Sequence, residues 1–127
     1  MDMRREIKFR GKRLDNREWV FFTLLFDGRT DYYDVDPNTV GQFTGLKDKN
    51  RKDIYEGDII ECLDSQGEPV RHFVEFCGRR GYYAQYFAGH SPLTAYEAGP
   101  INQDYIDKFG KYVIGNIYDN PELLKTE

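Results

Sequence analysis

Asp48, Asn50 and Asp53 offer side-chain oxygens at close spacing, which raises calcium binding. A calcium loop of the EF-hand type needs oxygen ligands at every second position and then glycine. Here Lys52 fills the third ligand position and Asp53 the glycine position, so the stretch reads as a solvated turn. Gly57-Asp58 ahead of Ile59-Ile60 could place a catalytic carboxylate at a strand entry. The commoner use of this pair is a tight bend whose Asp accepts backbone N–H groups, and that structural role is expected. His72 and His90 stand in no HxH or HxxxH pattern, so zinc, which wants several nitrogen or sulfur ligands together, is not expected. Cys62, expected to face His72 across a hairpin, is the one pair worth placing. Ser65 and Ser91 lie in no GxSxG, and no phosphate-cradling glycine loop occurs. No nucleophile with its base can be named. The expectation is a protein that is not an enzyme, with no catalytic residues, no metal and no cofactor.

A different chemistry is open to the basic residues. Arg4, Arg5, Lys8 and Arg10 crowd the N-terminal stretch, and Arg79 and Arg80 precede Tyr82 and Tyr83. Cations for phosphate and rings for base stacking are what single-stranded nucleic acid binding requires. This reading needs the two groups to converge on one face. The competing reading is that Arg79-Arg80 is a solvated hairpin tip and that the tyrosines are shared between core and surface. The formal net charge of -4 and a pI near 5.2 weigh against a dedicated phosphate-backbone binder.

Positioning any such group requires a fold. The chain has 127 residues, 39% hydrophobic and 31% charged, which suits one domain with one core. Ten Tyr and nine Phe favour strands over helix bundles. Arg5 to Arg10 alternates as a half-buried strand, with Ile7 and Phe9 on one face, and Gly11 ends it. Glu18 to Phe26 is apolar on both faces and is expected to be covered on both sides. Thr30 to Val35 and Val40 to Thr44 are short extended pieces. Ile59 to Leu63 and Val70 to Phe76 flank Asp64 to Pro69 as a hairpin, and Tyr82 to Phe87 continues the meander. Residues 88 to 99 read as a loop. Asn102 caps one or two helical turns that Gly110 stops. Lys111 to Tyr118 is a last strand, and Asn120-Pro121 opens a short helical turn. Strands this short and this frequent argue a small barrel or a sandwich. Cys62 and Cys77 form no CxxC, and their expected positions in the hairpin do not imply a disulfide. No signal peptide or membrane-length apolar run stands in the sequence, so the expected setting is a reducing cytoplasm without membrane contact.

Several stretches resemble the YopX family of phage and prophage proteins. They are Arg5-Glu6-Ile7-Lys8-Phe9-Arg10-Gly11-Lys12, Glu18-Trp19-Val20, Val40 to Asn50, Ile54 to Ile60, and Val113 to Leu124. They span nearly the whole chain in order. The resemblance implies a single YopX-like domain over residues 1–127. It implies a mostly β fold, an SH3-like small barrel with additional strands and a short C-terminal helical turn. It also implies a phage or prophage origin, and so the cytoplasm of a bacterial host. It brings no established activity and no catalytic residues. The family commonly carries glycine where this chain has Arg17 and Arg51, and Asn16 and Asn50 are expected to take the left-handed backbone instead. The functional expectation is a non-enzymatic accessory protein that binds a protein partner or forms a homo-oligomer. The alternative is a nucleic-acid-binding barrel using Arg4, Arg5, Lys8, Arg10, Arg79, Arg80, Tyr82 and Tyr83.

Overall fold

Short strands joined by turns form two antiparallel sheets in the computed structural model, which describes residues 6–23, 29–30, 33–87 and 96–124. The first sheet has the order β2-β1-β3-β4, built from β1 (Phe9–Lys12), β2 (Trp19–Phe22), β3 (Gly41–Lys47) and β4 (Asp53–Tyr55). The second has the order β8-β7-β6-β5-β9. Its strands are β5 (Asp58–Leu63), β6 (Pro69–Cys77), β7 (Tyr82–Phe87), β8 (Tyr96–Pro100) and β9 (Tyr112–Asn116). Helix α1 (Gln103–Phe109) joins β8 to β9. Single turns of 3-10 helix occupy Pro37–Thr39 and Pro121–Leu124. Mostly β with a short C-terminal helical turn is thus the architecture. Among the described residues the sheets stay open, so the expected closure into an SH3-like barrel is not formed.

The core lies on one face of the second sheet. Ile60 and Val74 meet Ile54 of β4 and Ile101 and Ile106 at the helix, all buried. Burial of side chains of this size stabilises the fold by roughly 1.5–3 kcal/mol each. Ile59 and Ile60 point to opposite faces and are both fully buried, so β5 is covered on both sides. The expectation had placed this on residues 18–26. There the described strand is only Trp19–Phe22, and it lies at a sheet edge with Phe21 63% exposed.

Local chemistry explains the turns. Asp64 Oδ1 accepts from the backbone N–H groups of Gln66 and Glu68, which closes the β5–β6 hairpin. Its register pairs Cys62 with Val70 and Ile60 with His72, so Cys62 does not face His72. The loop, Asp64 to Glu68, is one residue shorter than expected, and the register differs by two residues from the expected one. Asp48 is buried, and its carboxylate accepts from the N–H groups of Asn50, Lys52 and Val113. The 48–53 turn is therefore tied to β9 at Asp48 and is not solvated throughout. Gly11 does not end β1. It pairs with Val20 inside the strand, where an added Cβ would sit 3.2 Å from Val40 Cγ2. Of the loop expected over 88–99, Tyr96 to Gly99 belong to a strand, paired with β7 through a bulge, and residues 88–95 lie outside the described residues. Among the described residues, the 30–35 stretch contributes only isolated bridges, Arg13 to Val35 and Arg29 to Asp34. The left-handed positions fall on Arg17 (φ 61°) and Arg51 (φ 67°) themselves, not on Asn16 or Asn50. The turn geometry that favours glycine is kept although the glycine is not.

Candidate functional site

Three cations follow one another at every second position along the N-terminal strand, and each is matched. Lys8 Nζ lies 2.7 Å from Asp53 and 3.3 Å from Glu6, over the ring of Phe43. Lys12 pairs with Asp119. Between them Arg10 is only 8% exposed. Its Nη2 donates to Asp58 Oδ1 at 2.7 Å and to the Glu56 carbonyl at 3.3 Å. Its guanidinium lies 4.6 Å from the ring of Trp19 and 5.0 Å from that of Tyr55. The alternation predicts Ile7 and Phe9 on one face of a half-buried strand. Phe9 is half-buried against Phe22, but Ile7 is 57% exposed and Arg10, on the alternate positions, is covered by aromatic rings. Those rings arrive from β2 and β4 and cannot be seen from β1 alone.

Asp58 has the structural role expected of it. Its Oδ2 accepts from the Tyr55 N–H at 2.8 Å, closing the bend that leads from β4 to β5. Burial raises its carboxyl above the usual range, against the pull of Arg10 and the Tyr55 hydrogen bond. Asp119 behaves oppositely. Burial would raise it, but hydrogen bonds from Lys12, Trp19 and Asn116 outweigh that and hold it down to about 2. Trp19 Nε1 donates to Asp119 at 2.8 Å, and Asn116 Nδ2 at 3.1 Å. This network ties β1 and β2 to the end of β9 and thus joins the two sheets. Gly115 permits the closeness, since a Cβ there would stand 2.5 Å from Asn120 Oδ1.

The other sequence candidates are placed apart from these. Arg79 and Arg80 are exposed in the β6–β7 turn of the second sheet. Tyr82 and Tyr83 are half-buried, and Tyr83 packs edge-on against Phe76 and onto the core. Arg4, Arg5, His90 and Ser91 lie outside the described residues. The first sheet therefore gathers Lys8 with Arg10, each neutralised by an aspartate, while Arg79, Arg80, Tyr82 and Tyr83 belong to a separate turn and strand.

A group that no motif marked sits beneath α1. Asn102 Oδ1 caps the helix by accepting from Tyr105 N–H, and Gly110 ends it in the left-handed conformation (φ 63°). That reversal lets Lys111 N–H reach the Ile106 carbonyl at 3.0 Å and carries the Lys111 side chain inward. Lys111 is 1% exposed. Its Nζ lies 3.3 Å from His72 Nδ1 and 5.2 Å from the Tyr105 ring centre. Among the described residues no carboxylate pairs with it. Burial, and then the charge of Lys111, lowers His72 to about 4, so it is neutral at pH 7 and able to accept from the ammonium. Gln85, buried on β7, donates through Nε2 to the Tyr105 hydroxyl at 2.9 Å, while its Oε1 has no hydrogen-bond partner among the described residues. A lysine directly after a helix-stopping glycine and before an apolar strand was the available signal, and it resembles any exposed strand entry. Among the described residues no three His, Cys, Asp or Glu side chains gather around one point fit for a metal ion. Among the same residues no helix is long and apolar enough to cross a membrane.

The family model described as YopX protein matches residues 5–125. The fold is similar to the crystal structure of protein EF1440 from Enterococcus faecalis. The two share 25% identity and a TM-score of 0.64, over 94% of this chain and 99% of that one. No curated protein matches the chain.

Proposed function

The chain belongs to the YopX family, and from that premise we propose that it is a non-enzymatic accessory protein of bacteriophage or prophage origin, working in the host cytoplasm by binding protein. The first partner to consider is a second copy of itself. One observation supports this reading: the edge strand β2, Trp19–Phe22, is uncharged along its length and pairs only with β1 among the described residues, and its Phe21 is 63% exposed. Edge strands are ordinarily guarded by lysine, proline or a bulge, because their free N–H and C=O groups template pairing. An antiparallel two-fold brings such a strand against its own copy with no charges to repel. Light scattering coupled to size exclusion, over a concentration series, tests it. A dimer that Phe21→Lys dissociates is the expected result, and a monomer at every concentration overturns the self-pairing.

The nucleic-acid alternative keeps one supporting feature, the exposed Arg79 and Arg80 beside Tyr82. It loses Arg10, which is buried against Asp58. Fluorescence anisotropy of labelled single-stranded DNA, duplex DNA and RNA at two salt concentrations tests it. Binding that weakens steeply with salt and falls with Arg79→Ala plus Arg80→Ala supports it, and no binding at low salt removes it.

A further inference from the structure

We propose that the Lys111, His72, Gln85 and Tyr105 cluster beneath α1 is a binding site for a small hydroxycarboxylate, whose carboxylate meets Lys111 Nζ and whose hydroxyl donates to Gln85 Oε1. The inference begins from two unmet demands on one side-chain group. Lys111 carries three N–H donors into a site where it is 1% exposed, with the neutral His72 Nδ1 at 3.3 Å as acceptor and the Tyr105 ring as its other contact. A buried ammonium without a counter-charge is held against several kcal/mol of desolvation. Gln85, 4% exposed, has a carbonyl oxygen that lacks a donor among the described residues. Both residues use the same tyrosine, Lys111 against its ring and Gln85 on its hydroxyl. An anion alone answers the lysine and repels the glutamine oxygen. A ligand carrying one carboxylate and one hydroxyl answers both. One negative charge matches the one uncompensated cation, which disfavours phosphate dianions.

The site is independent of the β2 edge, so the failure of either reading leaves the other standing.

The test uses lactate, propionate and chloride as sodium salts at equal ionic strength and pH 7.5, with thermal unfolding of the full chain as readout. Lactate is expected to raise Tm by about 10 °C at a hundredfold excess over its Kd. Propionate, lacking the hydroxyl, should raise it less, and chloride least. Lys111→Met should remove the lactate and propionate effects, and Gln85→Leu should remove the difference between them. Equal shifts with all three salts, or the same shifts in wild type and Lys111→Met, overturn the site. Should a variant fail to fold, the wild-type protein decides by NMR. The His72 ring signals shift saturably with lactate and not with chloride if the site is real, and a ring that lactate leaves unmoved overturns it.

Discussion

Arg10 and Lys111 are both basic, both almost fully buried, and both laid against aromatic rings, yet their surroundings differ in kind. Arg10 has an aspartate at 2.7 Å, a backbone carbonyl, and two aromatic rings. Lys111 has a neutral imidazole, one ring and no carboxylate among the described residues. The first arrangement is matched in charge, and the product is a joint between strands, although Arg10 Nε, like Gln85 Oε1, has no hydrogen-bond partner among the described residues. The second is an open one, in which a donor-rich cation without a carboxylate and an acceptor without a partner, among the described residues, share a tyrosine. Matched buried charges build scaffold. An unmatched one is where a ligand has something to add.

The comparison can be broken by removing a partner on each side. Asp58→Ala strands the Arg10 guanidinium and deletes the Tyr55 turn bond, so stability should fall by about 3–5 kcal/mol. Urea denaturation measures it, and a loss below about 1 kcal/mol would deny that the pair is closed. The His72 side comes next. Its folded pKa of about 4 lies below the ordinary 6.5, so the unfolded chain binds the extra proton between those values. Stability is therefore full above pH 6.5 and is lost as pH falls towards 4, by up to about 3 kcal/mol. His72→Gln should flatten that slope, which stability curves measured at several pH values would reveal. Lys111→Met, in buffer free of carboxylates, should leave stability unchanged or raise it by about 1 kcal/mol, because an uncompensated ammonium is exchanged for a thioether of similar length. A large loss there would mean that Lys111 is as closed as Arg10. The smallest effect belongs to neither site. Arg51→Gly should stabilise by about 0.5–1 kcal/mol by relieving a left-handed arginine, with Arg17→Gly a poorer choice because Arg17 also pairs with Asp36 at 3.0 Å.

What was legible came from short-range chemistry. Asn102 and Gly110 bracket a helix because a capping carboxamide and a left-handed glycine act within a few residues of themselves. Asp58 was readable as a bend residue for the same reason: the N–H it accepts is three residues away. The β5–β6 hairpin was readable too, though its register slipped, because a loop of this length leaves pairing to be set by packing. Arg10 was misread as a surface cation because Asp58 and Trp19, which bury it, come from a different turn and a different strand. Lys111 was passed over because the Gly110 reversal turns it inward by backbone geometry, and nothing in its residue type announces that.

By itself the sequence determined the strand-rich class, the places where the chain turns, the capped helix and the family to which the whole chain conforms. All of these depend on contacts within a few residues or on patterns that recur along the chain. Only the tertiary structure decided which cations are neutralised, that β5 and not β2 is covered on both faces, and which lysine has no carboxylate partner among the described residues. Burial and ion pairing are set by residues as far apart as Arg10 and Asp58 or Lys111 and His72. Their free energies exist only once the two sheets have closed over them.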